Sequence, residues 1–156
     1  DKMSLFAGVR KLSDASAGMV CELSSNISIT AGTFFIVAPP GALAQISAAS
    51  NGTVARFVDA TNLPAPISTV ISVSSDITAN TLIIRANGTQ RMKNTTSQGG
   101  GKYANYPLYI GRRAGTSLPF NGHLYSLIGI GRLTTDSETI ALEKAIAKNT
   151  GVTLNV

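Results

Sequence analysis

The 156-residue chain is predicted to fold as an all-β sandwich with one C-terminal helix, on three observations. Short blocks of β-branched and aromatic residues are separated by turn signals about every ten residues, the rhythm of a sandwich or barrel. The composition, with 15 Gly, 6 Pro and many Ser, Thr, Asn and Val residues, suits strands and turns better than helices. The one long helix-compatible window lies near the C-terminus. A chain of this length makes one domain, residues 1–156, burying about two-thirds of the surface that its unfolded form exposes.

Met3 to Val9 and Gly18 to Leu23 read as a first hairpin around the turn-forming cluster Ser13-Asp14-Ala15-Ser16. Thr33 to Ala38 reads as a strand stopped by Pro39-Pro40, which lack the N–H groups a ladder requires. Leu43 to Ala49 and Thr53 to Val58 flank Asn51-Gly52, a hairpin turn signal. Leu63-Pro64-Ala65-Pro66 breaks regular structure before a half-buried strand from Ile67 to Val73. Asn80 to Ala86 and Thr89 to Lys93 form a further hairpin around Asn87-Gly88. Ser97-Gln-Gly-Gly-Gly101 reads as a flexible connector, because successive glycines are costly inside a regular element.

Two late strands follow. In Asn105-Tyr-Pro-Leu-Tyr-Ile-Gly-Arg-Arg113, Leu108 and Ile110 are the core positions, and Tyr109, Gly111 and Arg113 face away. Phe120, Leu124, Leu127 and Ile128 supply the second apolar run, opened by Asn121-Gly122. Thr135-Asp-Ser-Glu138 has capping-box spacing and opens the helix. Ile140, Leu142, Ala145 and Ile146 form its apolar stripe, Gly151 is its C-terminal cap, and the short tail beyond is free to pair with a strand.

Charged residues make up 13% of the chain, with 13 Lys and Arg against 8 Asp and Glu, a formal net charge of +5 spread along the sequence. Nucleic-acid modules gather such charge into a stripe, so no nucleic-acid partner is expected. A dispersed basic surface suits acidic polysaccharide or an anionic cell surface. No apolar run approaches the length of a membrane span, and no membrane insertion is expected. Cys21 is the only cysteine, so an intrachain disulfide is excluded, and its neighbours Val20 and Leu23 suit a buried thiol. The abrupt start at Asp1-Lys-Met-Ser reads as a piece excised from a longer protein.

Catalytic patterns are sparse. No two carboxylates alternate on one predicted strand, as glycosidase chemistry would favour, and Glu138 and Glu143 belong to the helix. His123 is the only histidine, no Gly-x-Ser-x-Gly elbow accompanies it, and Gly111-Arg-Arg-Ala-Gly115 lacks the Lys and Ser/Thr of a phosphate loop. No enzyme activity, cofactor or metal site is expected. Asn26-Ile-Ser28, Asn51-Gly-Thr53, Asn87-Gly-Thr89 and Asn94-Thr-Thr96 match the glycosylation pattern, which turn chemistry explains at Asn51 and Asn87. A sugar site needs an aromatic face and planar polar groups. Tyr103, Asn105, Tyr109, Arg112, Arg113 and His123 supply both within one region, and are the candidate ligand-binding residues.

The chain resembles the laminin G-like branch of the concanavalin A-like lectin and glucanase superfamily, as found in tail and other virion proteins of bacteriophages and prophages. The resemblance rests on Phe6 to Asp14, Thr81 to Gln90, Asn105 to Arg113, Phe120 to Ile128 and the helix running into Thr150 to Leu154. It implies a jelly-roll of two antiparallel sheets. The glucanase Glu-x-Asp-x-(x)-Glu strand has no counterpart, so hydrolysis is not implied. The expected function is non-enzymatic binding of host cell-surface polysaccharide by a module of a phage tail fibre or spike, located in the virion. Other virion subunits, including a homotrimer of the full-length protein, are the further partners implied. The alternatives are a purely structural decoration or oligomerisation module, and a glycan depolymerase.

Overall fold

The computed structural model describes residues 1–25 and 30–156; the Asn26-Ile-Ser28 pattern lies outside the described residues. Among the described residues, ten strands and one helix follow in chain order: β1 (Lys2–Lys11), β2 (Gly18–Leu23), β3 (Phe34–Ala38), β4 (Ile46–Asn51), β5 (Ala55–Ala60), β6 (Ile67–Asp76), β7 (Thr81–Ala86), β8 (Thr89–Asn94), β9 (Leu108–Ile110), β10 (Gly122–Ile130) and α1 (Asp136–Thr150). They form two five-stranded antiparallel sheets, ordered β10-β1-β6-β7-β8 and β5-β4-β3-β2-β9. The all-β sandwich with a C-terminal helix is therefore observed.

Alternation builds the core between the sheets. Leu5, Ala7 and Val9 of β1, Ile71 and Val73 of β6, and Leu82 and Ile84 of β7 meet Phe34 and Ile36 of β3, Ile46 and Ala48 of β4, and Val58 of β5. On the outer side of the first sheet, Phe6 and Val70 receive Ile146 and Ala147 of α1, so the helix covers that face. Gly8 permits the approach: a Cβ there would lie 2.6 Å from both Ile146 Cγ2 and Thr150 Cγ2. The capping box is complete, and Gly151 closes the helix at φ 69°.

Several expectations are corrected. Met3–Val9 and Gly18–Leu23 do not form a hairpin: β1 and β2 lie in different sheets, and β1 pairs instead with β6 and β10. The β4–β5 hairpin exists, but Asn51 belongs to the strand, where it is buried and its side-chain amide donates to Thr30 O at 2.7 Å, so the turn begins at Gly52. The loop around Gln98 is more than a connector. Gln98 is buried, its Nε2 donates to the carbonyls of Asp76 and Thr81 at 3.2 Å each, and its own carbonyl accepts from Val54 N. The C-terminal tail adds no strand; Leu154 packs beneath the helix and Asn155 N donates to Asn87 O.

The two edges β5 and β8 are joined by side chains. Arg91 and Asn94 of β8 donate to the main-chain carbonyls of Thr61 and Phe57, and the N–H of Asp59 donates to Met92 Sδ at 3.4 Å. At the opposite side, residues 111–121 cross from β9 to β10. This segment passes over the second sheet, where Met19 N donates to Leu118 O and Leu118 packs on Met19 and Phe35.

Candidate functional site

Among the described residues no helix lies over the outer face of the second sheet, which the 111–121 segment crosses in part. Its side chains follow from register, since directly opposed residues in an antiparallel pair share a face. Phe57 opposes Ala49, Ala49 opposes Phe35, Phe35 opposes Glu22, and Glu22 opposes Tyr109. These residues form one row across all five strands. A second row runs through Asp59, Ser47, Val37 and Met19.

A bulge places Glu22 in the row. Register shifts between Met19 and Cys21, so Val20 and Cys21 both turn into the core and Glu22 turns out. Its carboxylate is nevertheless fully buried on that face. Arg113 Nε–H donates to Glu22 Oε2 at 3.3 Å, and the guanidinium carbon lies 5.9 Å from the centre of the Phe35 ring. Burying a carboxylate is tolerable only with such a partner, and the ring beneath adds a cation–π contact. Glu22 Oε1 has no hydrogen-bond partner among the described residues. The result is a cation held in a fixed place, with 28% of its side chain open to solvent.

The other end of the face carries a polar cluster. Ser47 Oγ donates to Asp59 Oδ1 at 2.5 Å, and Gln45 Nε2 donates to the same oxygen at 3.2 Å. Beside it, Phe57 meets Phe35 edge-on, with ring centres 6.2 Å apart.

The six candidate residues from the sequence separate into three groups. Tyr109 and Arg113 lie on this face, with Tyr109 Oη–H donating to Ser25 O at 3.3 Å, and Arg112 and Asn105 are exposed on the segments flanking β9. Tyr103 is turned into the sandwich: its ring packs edge-on against Phe34, and its hydroxyl is 2.7 Å from Ser50 Oγ. Burial pushes its ionisation upward. His123 stands on β10 of the first sheet, opposite Arg10 and stacked on Tyr125. Leu108 and Ile110 correct the core assignment. They take the inward register positions opposite Leu23 and Cys21, yet β9 is an edge strand and leaves them 47% and 57% exposed. Glu22, Phe35 and Phe57 were missed as face residues. An acidic residue inside the apolar run of Gly18 to Leu23 was the available signal, because such a group demands a cation.

A cavity of about 530 Å³ opens on the other sheet, between the first half of α1 and Ser72, Arg85 and Gln90. Its cation is engaged: Arg85 donates to both oxygens of Glu143 and to Gly88 O. No group of three or more His, Cys, Asp or Glu residues is placed to hold a metal ion among the described residues.

No protein-family model matches the sequence, and no curated protein matches it. Solved structures do match in fold. The CBM40 domain of the Ruminococcus gnavus IT-sialidase, bound to α2,3-sialyllactose, superposes with a TM-score of 0.70 at 14% identity, over 92% of this chain and 82% of that one. A structure of botulinum neurotoxin type C, whose cell entry depends on two ganglioside molecules, gives 0.67 at 11% identity, over 94% of this chain and 36% of that one. The leech intramolecular trans-sialidase gives 0.65 at 13% identity, over 97% and 23%. The chain has the two-sheet β-sandwich fold of CBM40 carbohydrate-binding modules.

Proposed function

We propose that this domain binds an acidic glycan without catalysis, on the outer face of its second sheet at Arg113, Arg112, Tyr109 and Asn105. The observation that carries the reading is the Arg113 guanidinium, held between buried Glu22 and the Phe35 ring with part of its side chain open to solvent. A preorganised cation with part of its side chain open to solvent suits a sugar carboxylate. The net charge of +5 and the likeness in fold to a module bound to sialyllactose support the same class of ligand. The resemblance in sequence to phage virion domains supports host cell-surface polysaccharide as the source of that glycan and the virion as the setting.

The test is a glycan array with host lipopolysaccharide and capsule, repeated with Arg112→Ala and Tyr109→Ala. Binding weakened at least tenfold by each change, with circular dichroism unaltered, supports the reading. No binding at high protein concentration overturns it, and release of reducing ends by the purified protein would overturn its non-catalytic part.

A second reading, a structural module that contacts other subunits, is favoured by Leu108 and Ile110, exposed on the short edge strand β9. A trimer in light scattering that Leu108→Ser with Ile110→Ser dissolves would establish it.

A further inference from the structure

We infer that the cleft between α1 and the first sheet is a second binding site, one that takes an uncharged sugar ring and works independently of the face at Arg113.

Register builds one wall of it. The helix packs on β10, β1 and β6 and leaves the outer side of β7 and β8 beside it. Leu82 and Ile84 of β7 point into the sandwich, so Ile83 and Arg85 point out. Two rows follow on that outer side, because opposed residues share a face. Ser72 opposes Arg85 and Arg85 opposes Gln90; Ser74 opposes Ile83 and Ile83 opposes Lys93. The approach to α1 and its first turns supply the other wall through Leu133, Asp136 and Ile140.

The space is open to solvent. Gln90 and Asp136 are exposed, Leu133 is 38% exposed, and Ser74, Ile83, Arg85 and Ile140 are half-buried. Its volume of about 530 Å³ falls within the span of about 300–1,000 Å³ common to small-ligand sites.

The polar groups of the cleft are fixed but not fully engaged. Buried Glu143 accepts from Arg85 Nε at 2.8 Å and Nη2 at 3.2 Å, and from Ser72 Oγ at 2.5 Å. Arg85 Nη2 also donates to Gly88 O, so the guanidinium is held from one side. Its Nη1 has no hydrogen-bond partner among the described residues, and neither do the side chains of Ser74, Gln90 and Asp136. Sugar hydroxyls both donate and accept. They match Arg85 as donor, Asp136 as acceptor, and Ser74 and Gln90 as both, while Ile83, Leu133 and Ile140 offer apolar surface to the C–H groups of the ring. Charge sets the class of sugar. Arg85 is paired with Glu143, and Asp136 is balanced in sign by Lys93, exposed at the end of its row. The cleft carries no net charge and gains nothing from a ligand carboxylate.

Chemical-shift mapping by NMR on the intact protein tests the inference, with glucose, galactose, mannose, N-acetylglucosamine and N-acetylgalactosamine as uncharged probes and N-acetylneuraminic acid as the charged one. At least one uncharged sugar is expected to shift the amide signals of Ser74, Arg85, Gln90 and Thr139 saturably, and Gln90→Ala and Asp136→Asn are each expected to weaken it at least threefold. Ser74→Leu, which fills part of the cleft, is expected to abolish the shifts with circular dichroism unaltered. The inference is overturned by the absence of saturable shifts in the cleft with every uncharged sugar, by shifts confined to residues 109–113, or by affinity unchanged in both Gln90→Ala and Asp136→Asn. Tighter binding of N-acetylneuraminic acid than of every uncharged sugar in the cleft overturns it as well. None of these outcomes bears on the acidic-glycan reading at Arg113, which its own array decides.

Discussion

Arg113 Nε lies 3.3 Å from Oε2 of Glu22, a carboxylate with no exposed surface that sits directly opposite both Phe35 and Tyr109. One residue therefore offsets a buried carboxylate and keeps part of its side chain in contact with solvent. Arg113→Ala is expected to destabilise the domain by about 2–3 kcal/mol, less than a fully buried pair because the arginine keeps contact with water. Urea denaturation checks this. Pairing it with Glu22→Gln should recover part of the loss, since the stranded charge is then gone.

Gly8 sets how closely α1 approaches the first sheet. Gly8→Ala drives a methyl into Ile146 and Thr150 and is expected to cost about 1–3 kcal/mol. Adding Thr150→Ser removes one of the two clashing methyls, so the double variant should melt above Gly8→Ala alone.

Gln98 donates to two carbonyls at the β6–β7 end of the sandwich. Gln98→Ala removes a buried donor from both carbonyls and is expected to cost about 1–3 kcal/mol. Gln98→Glu should be worse at neutral pH and should recover on acidification, because only the protonated carboxyl can donate. Stability measured against pH separates the two variants.

Burial pushes the Cys21 thiol up to about 12, so it carries no thiolate at neutral pH. Labelling of the native protein by a thiol reagent should proceed only as fast as the domain opens, and become immediate in urea. Rapid labelling without denaturant would contradict the burial of Cys21 between the sheets.

Arg132 draws the Glu138 carboxyl down from its ordinary 4.5 to about 2, with the Thr135 N–H assisting. A carboxylate lowered in the folded state stabilises it above the unfolded value and loses that effect as pH falls through the folded one. Helix signal and stability should therefore decline as pH drops from about 4.5 to about 2, and Glu138→Gln should remove that part of the profile. Because the pair is exposed, added salt should shrink the effect.

Local chemistry made some of this fold readable from sequence. Asn87-Gly88 does turn β7 into β8, with φ of 51° and 85°, the pair of positive values that a tight hairpin turn requires. Thr135 and Glu138 announce the helix because capping depends on four neighbouring residues. The partition between sheets was not readable. Nothing in Met3 to Leu23 says whether consecutive strands pair or cross to the other layer. The bulge at Val20 reverses the faces of Cys21 and Glu22, and no residue type marks it. Leu108 and Ile110 alternate as core residues do, yet their strand ends at a sheet edge where no layer covers them. The pairing of Arg113 with Glu22 depends on that bulge, and the exposure of β9 on its place at the edge. Tyr109 and Arg113 could therefore be named as outward-facing residues, whereas their companions Glu22, Phe35 and Phe57 came only with the register.

The side chains of Arg91 and Asn94, together with the sulfur of Met92, occupy main-chain groups of Phe57, Asp59 and Thr61 that would otherwise stand free along β5. A free strand edge is a template on which a further chain can add and continue the sheet. By capping that template from within, the domain protects itself from runaway cross-strand aggregation on one flank.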